Sequence, residues 1–464
     1  MNTWLSRIFA IIGLILLLSA LFTDLSVRPG LLLLLVAGAT GIMNHSSLRG
    51  FSFTAWVLVC VGFALAYPGL LQEWGGFRLT LLIVPLTQII MFGMGTTLSL
   101  KDFSRILVAP WPVLLGVILQ FCIMPVMGFL IALSLGFDGE LAAGIVLIGS
   151  VSGGVASNLM AFIAKANVAL SVTMTVVSTF VAPLMTPLLM GIFAGRFIPI
   201  DTLAMMIGVF NIIVIPVVAG LMAHSVLYSK KPWAWNAGWL ALITFIAGMI
   251  VYVALTVTPE TLGILAPLRN GVILGGILLS VVALSKIVVS VWLGRPNTWI
   301  DRALPLVSMA GICAILAIII AQTHDVLMEA GMLLVLAAVI HNSLGYGFGY
   351  WGSRWIGAFL GQLGYRLGLR KTASTLIDEA NCRTVAFEVG MQNGGMATGL
   401  AMDVLQSHVA ALPPNLFGTW MNISGSVLAN YWKRKSPQTA GATDGSVSGR
   451  KFAATQAQEG VSSK

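Results

Sequence analysis

The sequence predicts an all-α polytopic membrane protein, and three observations lead to this fold class. Apolar residues make up 58% of the 464 positions, whereas charged residues make up only 9%. Mean hydropathy is +0.96. Soluble globular domains carry about 25% charged residues, so this chain has too few of them to cover a water-facing surface. The apolar residues also fall in long runs, and a membrane-spanning helix needs roughly 20 of them.

Fourteen apolar segments are candidate spans. They lie at about 5–22, 30–44, 51–71, 78–98, 110–134, 141–164, 168–194, 201–225, 236–257, 268–293, 303–322, 328–352, 383–402 and 410–432. Because backbone polar groups in hydrocarbon must be satisfied within the segment, these runs are predicted as helices. The first run follows Arg7 like a secretory signal, but we interpret it as a retained helix because no convincing cleavage site follows it.

The basic residues predict the orientation of the spans. An even number of spans puts most Lys and Arg on the side of the termini, and leaves Arg28, Arg78, Arg196 and Arg269 in the opposite loops. Cytoplasmic loops carry the excess of Lys and Arg, so both termini are expected in the cytoplasm, with the protein in the cell (inner) membrane. Lys286 lies inside a span and is expected to snorkel to the interface.

The formal charge of +9 is scattered between apolar runs, so nucleic acid is not expected as a partner. The four cysteines (Cys60, Cys122, Cys313 and Cys382) form no CxxC pair, and neither a disulfide framework nor a zinc site is predicted. Residues 353–382 carry both charge signs and are predicted as a cytoplasmic connection. The segment 436–464 is rich in Gly, Ser, Thr and Gln and is predicted as a disordered tail.

Two apolar runs contain polar and glycine-rich stretches, which are costly in a membrane and therefore informative. The first is GSVSGGVASN at 149–158, and the second is EVGMQNGG at 388–395. Each is interpreted as a broken helix, whose interruption frees carbonyls for a cation and presents a half-helix N-terminus to an anion. The alternative is close helix packing, since Gly and Ser also line helix contacts. Close packing alone does not explain why Glu388, Gln392 and Asn393 occur together in one apolar run.

Other polar residues in the apolar runs have two interpretations each. Ser171, Thr175 and Ser178 share one helical face and offer hydroxyls to a hard cation, or they bond the preceding carbonyls of their own helix. Gln120 is a cation ligand or an interhelical hydrogen bond. His341 is a ligand or, more commonly for a buried histidine, a satisfied core residue.

At these residues the sequence resembles the bile acid:sodium symporter (BASS) family. The shared motifs are MFGMG at 91–95, QF at 120–121 with MP at 124–125, GGVASN at 153–158, ALSV at 169–172, ST at 178–179, PLMTP at 183–187, HN at 341–342, EVGMQN at 388–393 and NISGS at 422–426. They occur in the family's order along nearly the whole core. The resemblance implies a ten-helix core of two inverted five-helix repeats with crossed broken helices.

The resemblance also implies two Na⁺ ions, bound at the crossing as coupling ions. One sodium site would be formed by Ser157, Asn158, Ser171, Thr175 and Glu388. The other would be formed by Gln120, Glu388, Val389, Met391 and Gln392, with Val389 and Met391 acting through backbone oxygens. Val155, Ala156 and Asn393 would contact the substrate. The family often has Thr where Val155 stands, so this chain lacks the usual hydroxyl contact and keeps the backbone N–H groups.

The chain is longer than the ten-helix core that the resemblance implies. We expect an extra transmembrane pair at 1–46, the first part of the core at 47–228, an inserted pair at 229–300, the second part of the core at 301–435 and the tail at 436–464. The extra spans, about four in number, have no assigned function.

These features predict a transporter that couples sodium to a small organic anion such as a bile-acid-like or other carboxylate. The nearest alternative is a proton-coupled transporter that uses Glu388. An intramembrane enzyme is not expected, because His341 has no acid or cysteine beside it in sequence, and a ligand sensor without transport is the remaining possibility. The expected partners are the organic anion and the lipid bilayer, and the oligomeric state is left open.

Overall fold

The computed structural model describes residues 3–22, 26–45, 52–99, 102, 110–296, 298–368, 372 and 374–435. Within these ranges the chain is helical apart from connecting turns and one short hairpin, and eight helices are long and apolar enough to cross a membrane. Each of the fourteen predicted segments coincides with a helix or with consecutive helices. The predicted tail at 436–464 lies outside the described residues.

The helices before the first interruption follow the predicted segments. They are α1 (Thr3–Phe22), α2 (Arg28–Asn44), α3 (Ser52–Ala66), α4 (Ile83–Thr97) and α5 (Pro110–Ser134), and a hairpin of β1 (Glu73–Trp74) and β2 (Phe77–Arg78) separates α3 from α4. The two strands pair antiparallel, with Trp74 opposite Phe77. This hairpin connects the ends of two helices, and the rest of the described fold consists of packed helices and their connections.

The middle of the chain contains the first broken helix and the pair of helices that is predicted as an insertion. Its helices are α6 (Gly139–Ser150), α7 (Ala156–Ile163), α8 (Val168–Phe193), α9 (Thr202–Val209), α10 (Ile215–Tyr228), α11 (Ala237–Thr256), α12 (Pro259–Leu262) and α13 (Leu268–Lys286). A π-helical turn at Phe210–Val214 joins α9 to α10, so the two run as one helix.

The last third contains the second broken helix. Its helices are α14 (Thr298–Gln322), α15 (His324–Arg366), α16 (Glu379–Gly390), α17 (Gly394–Asp403) and α18 (His408–Arg434). α15 has 43 residues, about 65 Å at 1.5 Å per residue, and is roughly twice as long as the hydrocarbon is thick. The connection predicted at 353–382 is therefore helical as far as Arg366.

The helices pack in two groups. The first group is built on α3, α4, α10 and α14: α14 contacts α3 and α4, and α4 contacts α10. The pair α1–α2 packs against α3, and the pair α11–α13 packs against α10. The second group contains α5, α8, α15, α18 and both broken helices. The pairs α1–α2 and α11–α13, which are predicted as additional to the core, thus contact the first group, and the interrupted stretches lie in the second.

Lys286 does not snorkel, and this prediction was wrong. Its side chain is fully buried, and its ammonium donates to the carbonyls of Val226 and Leu227 and lies 4.8 Å from the centre of the Trp235 ring. Those carbonyls belong to the last turn of α10, where a helix leaves acceptors unsatisfied and its dipole favours a cation. Lys286 therefore attaches the inserted helix α13 to the end of α10.

Candidate functional site

Both predicted interruptions are present in the structure. α6 ends at Ser150 and α7 begins at Ala156, while α16 ends at Gly390 and α17 begins at Gly394. Backbone hydrogen bonds join the two interruptions: Gly154 donates to the carbonyl of Met391 at 2.8 Å, and Asn393 donates to the carbonyl of Ser152 at 2.9 Å. Buried backbone groups that the helices leave unpaired are thus satisfied by each other.

The close approach of the two stretches requires glycine. A Cβ atom on Gly154 would lie 2.8 Å from the carbonyl oxygen of Gln392. Gly153 forms an antiparallel bridge with Gln392, and a Cβ on Gly153 would lie 2.8 Å from Oε2 of Glu388. The glycine pair at 153–154 therefore does more than interrupt a helix: it also allows the two interruptions to approach each other closely.

The four helix ends that meet at this contact carry partial charges of both signs. α6 and α16 end here with their C-termini, whose free carbonyls carry partial negative charge. α7 and α17 begin here with their N-termini, whose N–H groups carry partial positive charge. The contact can hold a cation beside the first pair of ends and an anion beside the second.

Glu388 lies in the last turn of α16 and is completely buried. Its Oε1 atom accepts hydrogen bonds from the hydroxyls of Ser157 and Ser171, and its Oε2 atom accepts one from Thr175 at 2.9 Å. Ser157 comes from α7, whereas Ser171 and Thr175 are one turn apart on α8. The helices α7 and α8 therefore place three neutral oxygens around the carboxylate of α16.

Among the described residues, no basic side chain compensates the charge of this carboxylate. Glu388 takes part in none of the ion pairs between those residues, which involve Asp325 and Glu379. A buried carboxylate without a cationic partner is costly when ionised. A small cation among the surrounding oxygens would offset that cost.

A second set of amide and backbone oxygens adjoins the carboxylate. Gln120 of α5 donates to Oε1 of Gln392 at 3.2 Å and to the carbonyl of Val151 at 3.3 Å. Gln392 in turn donates to the carbonyl of Val389 at 2.6 Å. The carbonyl of Met391 takes part in the backbone pairing described above. These residues form a continuous chain of hydrogen bonds across the contact.

Two buried side-chain oxygens in the described part of the chain have no hydrogen-bond partner, and both belong to predicted sodium ligands. They are Oε1 of Gln120 and Oδ1 of Asn158, the residue after Ser157 in the first turn of α7. Buried polar atoms are nearly always satisfied, so an orphaned acceptor indicates a missing partner such as an ion. Carboxylate, hydroxyl, amide and carbonyl oxygens suit a hard cation, and the donor set therefore fits sodium.

The predicted substrate residues lie at the starts of the two half-helices. Val155 is exposed and Ala156 is partly buried at the beginning of α7. Asn393 is buried and caps α17, with its Oδ1 accepting from the N–H of Met396 at 3.0 Å, while its side-chain amide points to the sulfur of Met91 at 3.8 Å. The structure thus places each residue at a helix start, and the side chain of Asn393 bonds to α17 and α4, whereas its backbone N–H bonds to the first interruption.

Two other predicted residues have different environments. His341 is buried against Phe417, and its Nε2 lies 3.1 Å from the carbonyl oxygen of Met124, whereas its Nδ1 is buried without a hydrogen-bond partner. Ser178 shares the face of Ser171 and Thr175 but accepts from the backbone N–H of Gly153 at 3.3 Å. Ser178 therefore supports the first interruption and not the carboxylate.

One cluster beside the site was not predicted as a unit. Asn342 donates to the carbonyl of Gly390 at 2.7 Å, Ser424 donates to Asn342, and the hydroxyl of Tyr346 lies 3.3 Å from that of Ser424. These residues satisfy the free end of α16 from α15 and α18. Asn342 and Ser424 occur in motifs noted in the sequence, but only the fold brings them to Gly390.

Comparisons with known proteins identify the family. The profile of the sodium bile acid symporter family matches residues 84–260. The uncharacterized sodium-dependent transporter YocS of Bacillus subtilis is 30% identical over 394 residues, which cover 85% of this chain and 94% of that protein.

Two eukaryotic relatives extend the match. The probable sodium/metabolite cotransporter BASS1 of Arabidopsis thaliana is 28% identical over 77% of this chain and 67% of its own length. The ileal sodium/bile acid cotransporter of Cricetulus griseus is 27% identical over 72% of each chain. From the long match to the Bacillus protein we conclude that this chain belongs to the sodium bile acid symporter family.

Proposed function

We propose that this sodium-dependent membrane transporter imports a small organic anion, such as a bile-acid-like or other carboxylate, together with sodium. The observation that carries the proposal is Glu388, a buried carboxylate with three hydroxyl partners and no basic one among the described residues. Sodium binding would neutralise the carboxylate of Glu388. The free energy of the sodium gradient would thereby be coupled to the charge at the crossing of the broken helices.

The proposal includes two sodium ions. Ser157, Asn158, Ser171, Thr175 and Glu388 would bind the first; Gln120, Glu388, Val389, Met391 and Gln392 would bind the second. The orphaned oxygens of Asn158 and Gln120 support one ion in each set. Since Glu388 belongs to both sets, the two ions would bind cooperatively or compete, depending on how its two oxygens are shared.

The anion would bind at the starts of α7 and α17. Backbone N–H groups at Val155 and Ala156 and the side chain of Asn393 would contact its carboxylate, because half-helix N-termini favour negative charge. Val155 offers no hydroxyl, so recognition there would depend on the backbone. Relatives are named for sodium/metabolite and sodium/bile acid cotransport, which supports a carboxylate of this general class.

The proposed architecture is a ten-helix core of two inverted five-helix repeats. Its first part covers 47–228 and its second part 301–435, with extra transmembrane pairs at 1–46 and 229–300. The protein would lie in the inner membrane of the cell, with both termini in the cytoplasm. The packing of helices in two groups supports alternating access, in which the group with the broken helices moves against the other.

The test is uptake by proteoliposomes loaded without substrate and given an inward sodium gradient but no pH gradient. Radiolabelled carboxylates should accumulate under these conditions, and an equal potassium gradient is the control. Accumulation that requires a proton gradient would support the alternative of proton coupling through Glu388. Tight substrate binding without uptake would indicate a sensor, and conversion of the substrate would indicate an enzyme.

A further inference from the structure

Polar contacts between α16 and the start of α8 continue beyond the site. Glu388 of α16 contacts Ser171 of α8. Thr384, four residues before Glu388, contacts Asn167, four residues before Ser171. Residues four apart lie above one another on a helix, so these are two successive levels of one polar stripe, about 6 Å apart along α16. Thr384 is completely buried, as Glu388 is.

The outer level of the stripe holds the turn between α7 and α8 against α16. The hydroxyl of Thr384 accepts from the backbone N–H of Asn167 at 2.9 Å and lies 3.2 Å from its carbonyl oxygen. The side-chain amide of Asn167 donates to Oδ1 of Asn381 at 2.8 Å. Asn167 also caps α8 by accepting from the N–H of Leu170 at 3.1 Å. A single residue thus fixes both the start of α8 and its contact with α16.

The turn itself contains one left-handed residue at the end of α7. Lys165 has a φ of 55°, a left-handed conformation that a side chain other than glycine disfavours. Its side chain is exposed, so the turn lies at a surface of the protein. Lys165 follows the C-cap of α7, where a left-handed residue commonly closes a helix: its N–H donates to the carbonyl of Phe162. Thr384 and Asn381 hold the turn two residues later, at Asn167.

We propose that Thr384 and Asn381 latch the α7–α8 turn as the inner gate of the sodium site. This inference rests on the proposed function. Asn381 precedes Glu388 by seven residues, about 10 Å along α16, so opening the latch exposes the site to the side that the proposed orientation makes cytoplasmic.

A gate and a ligand have different kinetic signatures. Weakening a gate raises the rates of sodium entry and exit together and leaves the dissociation constant unchanged, because ion-bound and ion-free states both lose the same latch. Weakening a ligand raises the exit rate and the dissociation constant together. The two roles of Thr384 can therefore be separated by measuring both quantities.

The experiment uses purified full-length protein and radioactive sodium. Thr384→Val removes the hydroxyl at nearly constant volume, and Thr384→Ser keeps it as the matched control. We expect sodium to leave the valine variant roughly tenfold faster after dilution into unlabelled sodium, as for the loss of one hydrogen bond, with a dissociation constant within about twofold of wild type and the serine variant unchanged. Asn381→Leu, which lies farther from Glu388, should act in the same direction and serves if the valine variant does not fold.

Three outcomes decide the proposal. A wild-type exit rate in both Thr384→Val and Asn381→Leu overturns the gate while sodium binding, and hence the proposed function, stands. An exit rate and a dissociation constant that rise in parallel overturn the gate in favour of a ligand or support role for Thr384. Absence of saturable sodium binding by the wild type overturns the proposed function and this inference with it.

Discussion

Gly153 and Glu388 lie so close that a single methyl group on the glycine would occupy the space beside the carboxylate. The Cβ position of Gly153 is 2.8 Å from Oε2 of Glu388. The first interruption therefore forms one wall of the carboxylate's pocket, and the carboxylate forms part of the contact between the interruptions. In the proposed mechanism, ion binding at Glu388 and the pairing of the broken helices are linked through this contact.

Replacing Gly153 by alanine should impair sodium binding. The added methyl displaces Glu388 or the backbone paired with Gln392, because interiors are packed too densely to absorb it. We expect at least a roughly tenfold loss of sodium affinity, measured by radioligand binding. Gly347→Ala is the control, because no atom lies within 4 Å of the Cβ position of Gly347. Equal sodium affinity in both variants would contradict the close contact.

The hydroxyl of Thr175 should contribute to sodium binding, whereas that of Thr173 should not. Thr175 donates to Glu388, while the neighbouring buried Thr173 donates to the carbonyl of Ala169 in its own helix. Hydrogen bonds to charged groups contribute about 1.5–3 kcal/mol, so Thr175→Val should lower sodium affinity roughly tenfold or more. Thr173→Val is the matched control in isothermal titration with sodium. A similar loss in both variants would show that helix α8, and not the hydroxyl, is responsible.

Restoring a hydroxyl at Val155 should strengthen recognition of the anion. Val155 is exposed at the start of α7, and threonine has nearly the same shape with one more hydrogen-bonding group. We expect Val155→Thr to lower the dissociation constant of a bound carboxylate by about three- to tenfold, in line with one added hydrogen bond. Val155→Ala is the control for altered bulk. If Val155→Thr changes neither affinity nor carboxylate preference, the anion does not bind at this helix start.

Removing the amine of Lys286 should destabilise the protein without affecting sodium. Lys286→Met removes the ammonium that donates to the carbonyls of Val226 and Leu227, together with its contact with Trp235. The loss of a buried hydrogen-bond donor of this kind costs about 1–3 kcal/mol, so the thermal midpoint should fall by several degrees. The exposed Lys230→Met is the control. A lowered sodium affinity at an unchanged midpoint would instead connect the inserted helices to the site.

Much of the fold was predictable from hydrophobic runs, and the interruptions were predictable from chemistry. The stretches at 149–158 and 388–395 combine glycines with polar groups that a continuous membrane helix does not need, and the structure breaks the helices there. Lys286 was mispredicted because its partners are carbonyls at the end of another helix, which the sequence does not mark. α15 extends to Arg366, and its buried Gly357 and Gly361 pack closely against Ile377 and Ser374 of the segment that follows.

Less of the site was predictable from the residues alone. Periodicity put Ser171, Thr175 and Ser178 on one face, but it could not show that the first two contact Glu388 while Ser178 contacts Gly153. The roles of Thr384 and Asn167 are equally hidden, because residues more than 200 positions apart meet only through the packing of α16 on α8. Long-range contacts of this kind are set by the fold and leave no local signal.

The most direct test of the central claim is the effect of sodium on thermal unfolding of Glu388→Gln. Wild-type protein should be stabilised by sodium over potassium at equal ionic strength, in proportion to the logarithm of sodium concentration once the site is saturated. Glu388→Gln keeps the size of the side chain but removes its charge, and should lose that response, whereas the exposed control Glu329→Gln should keep it. An unchanged sodium response in Glu388→Gln would contradict the claim that this carboxylate binds sodium.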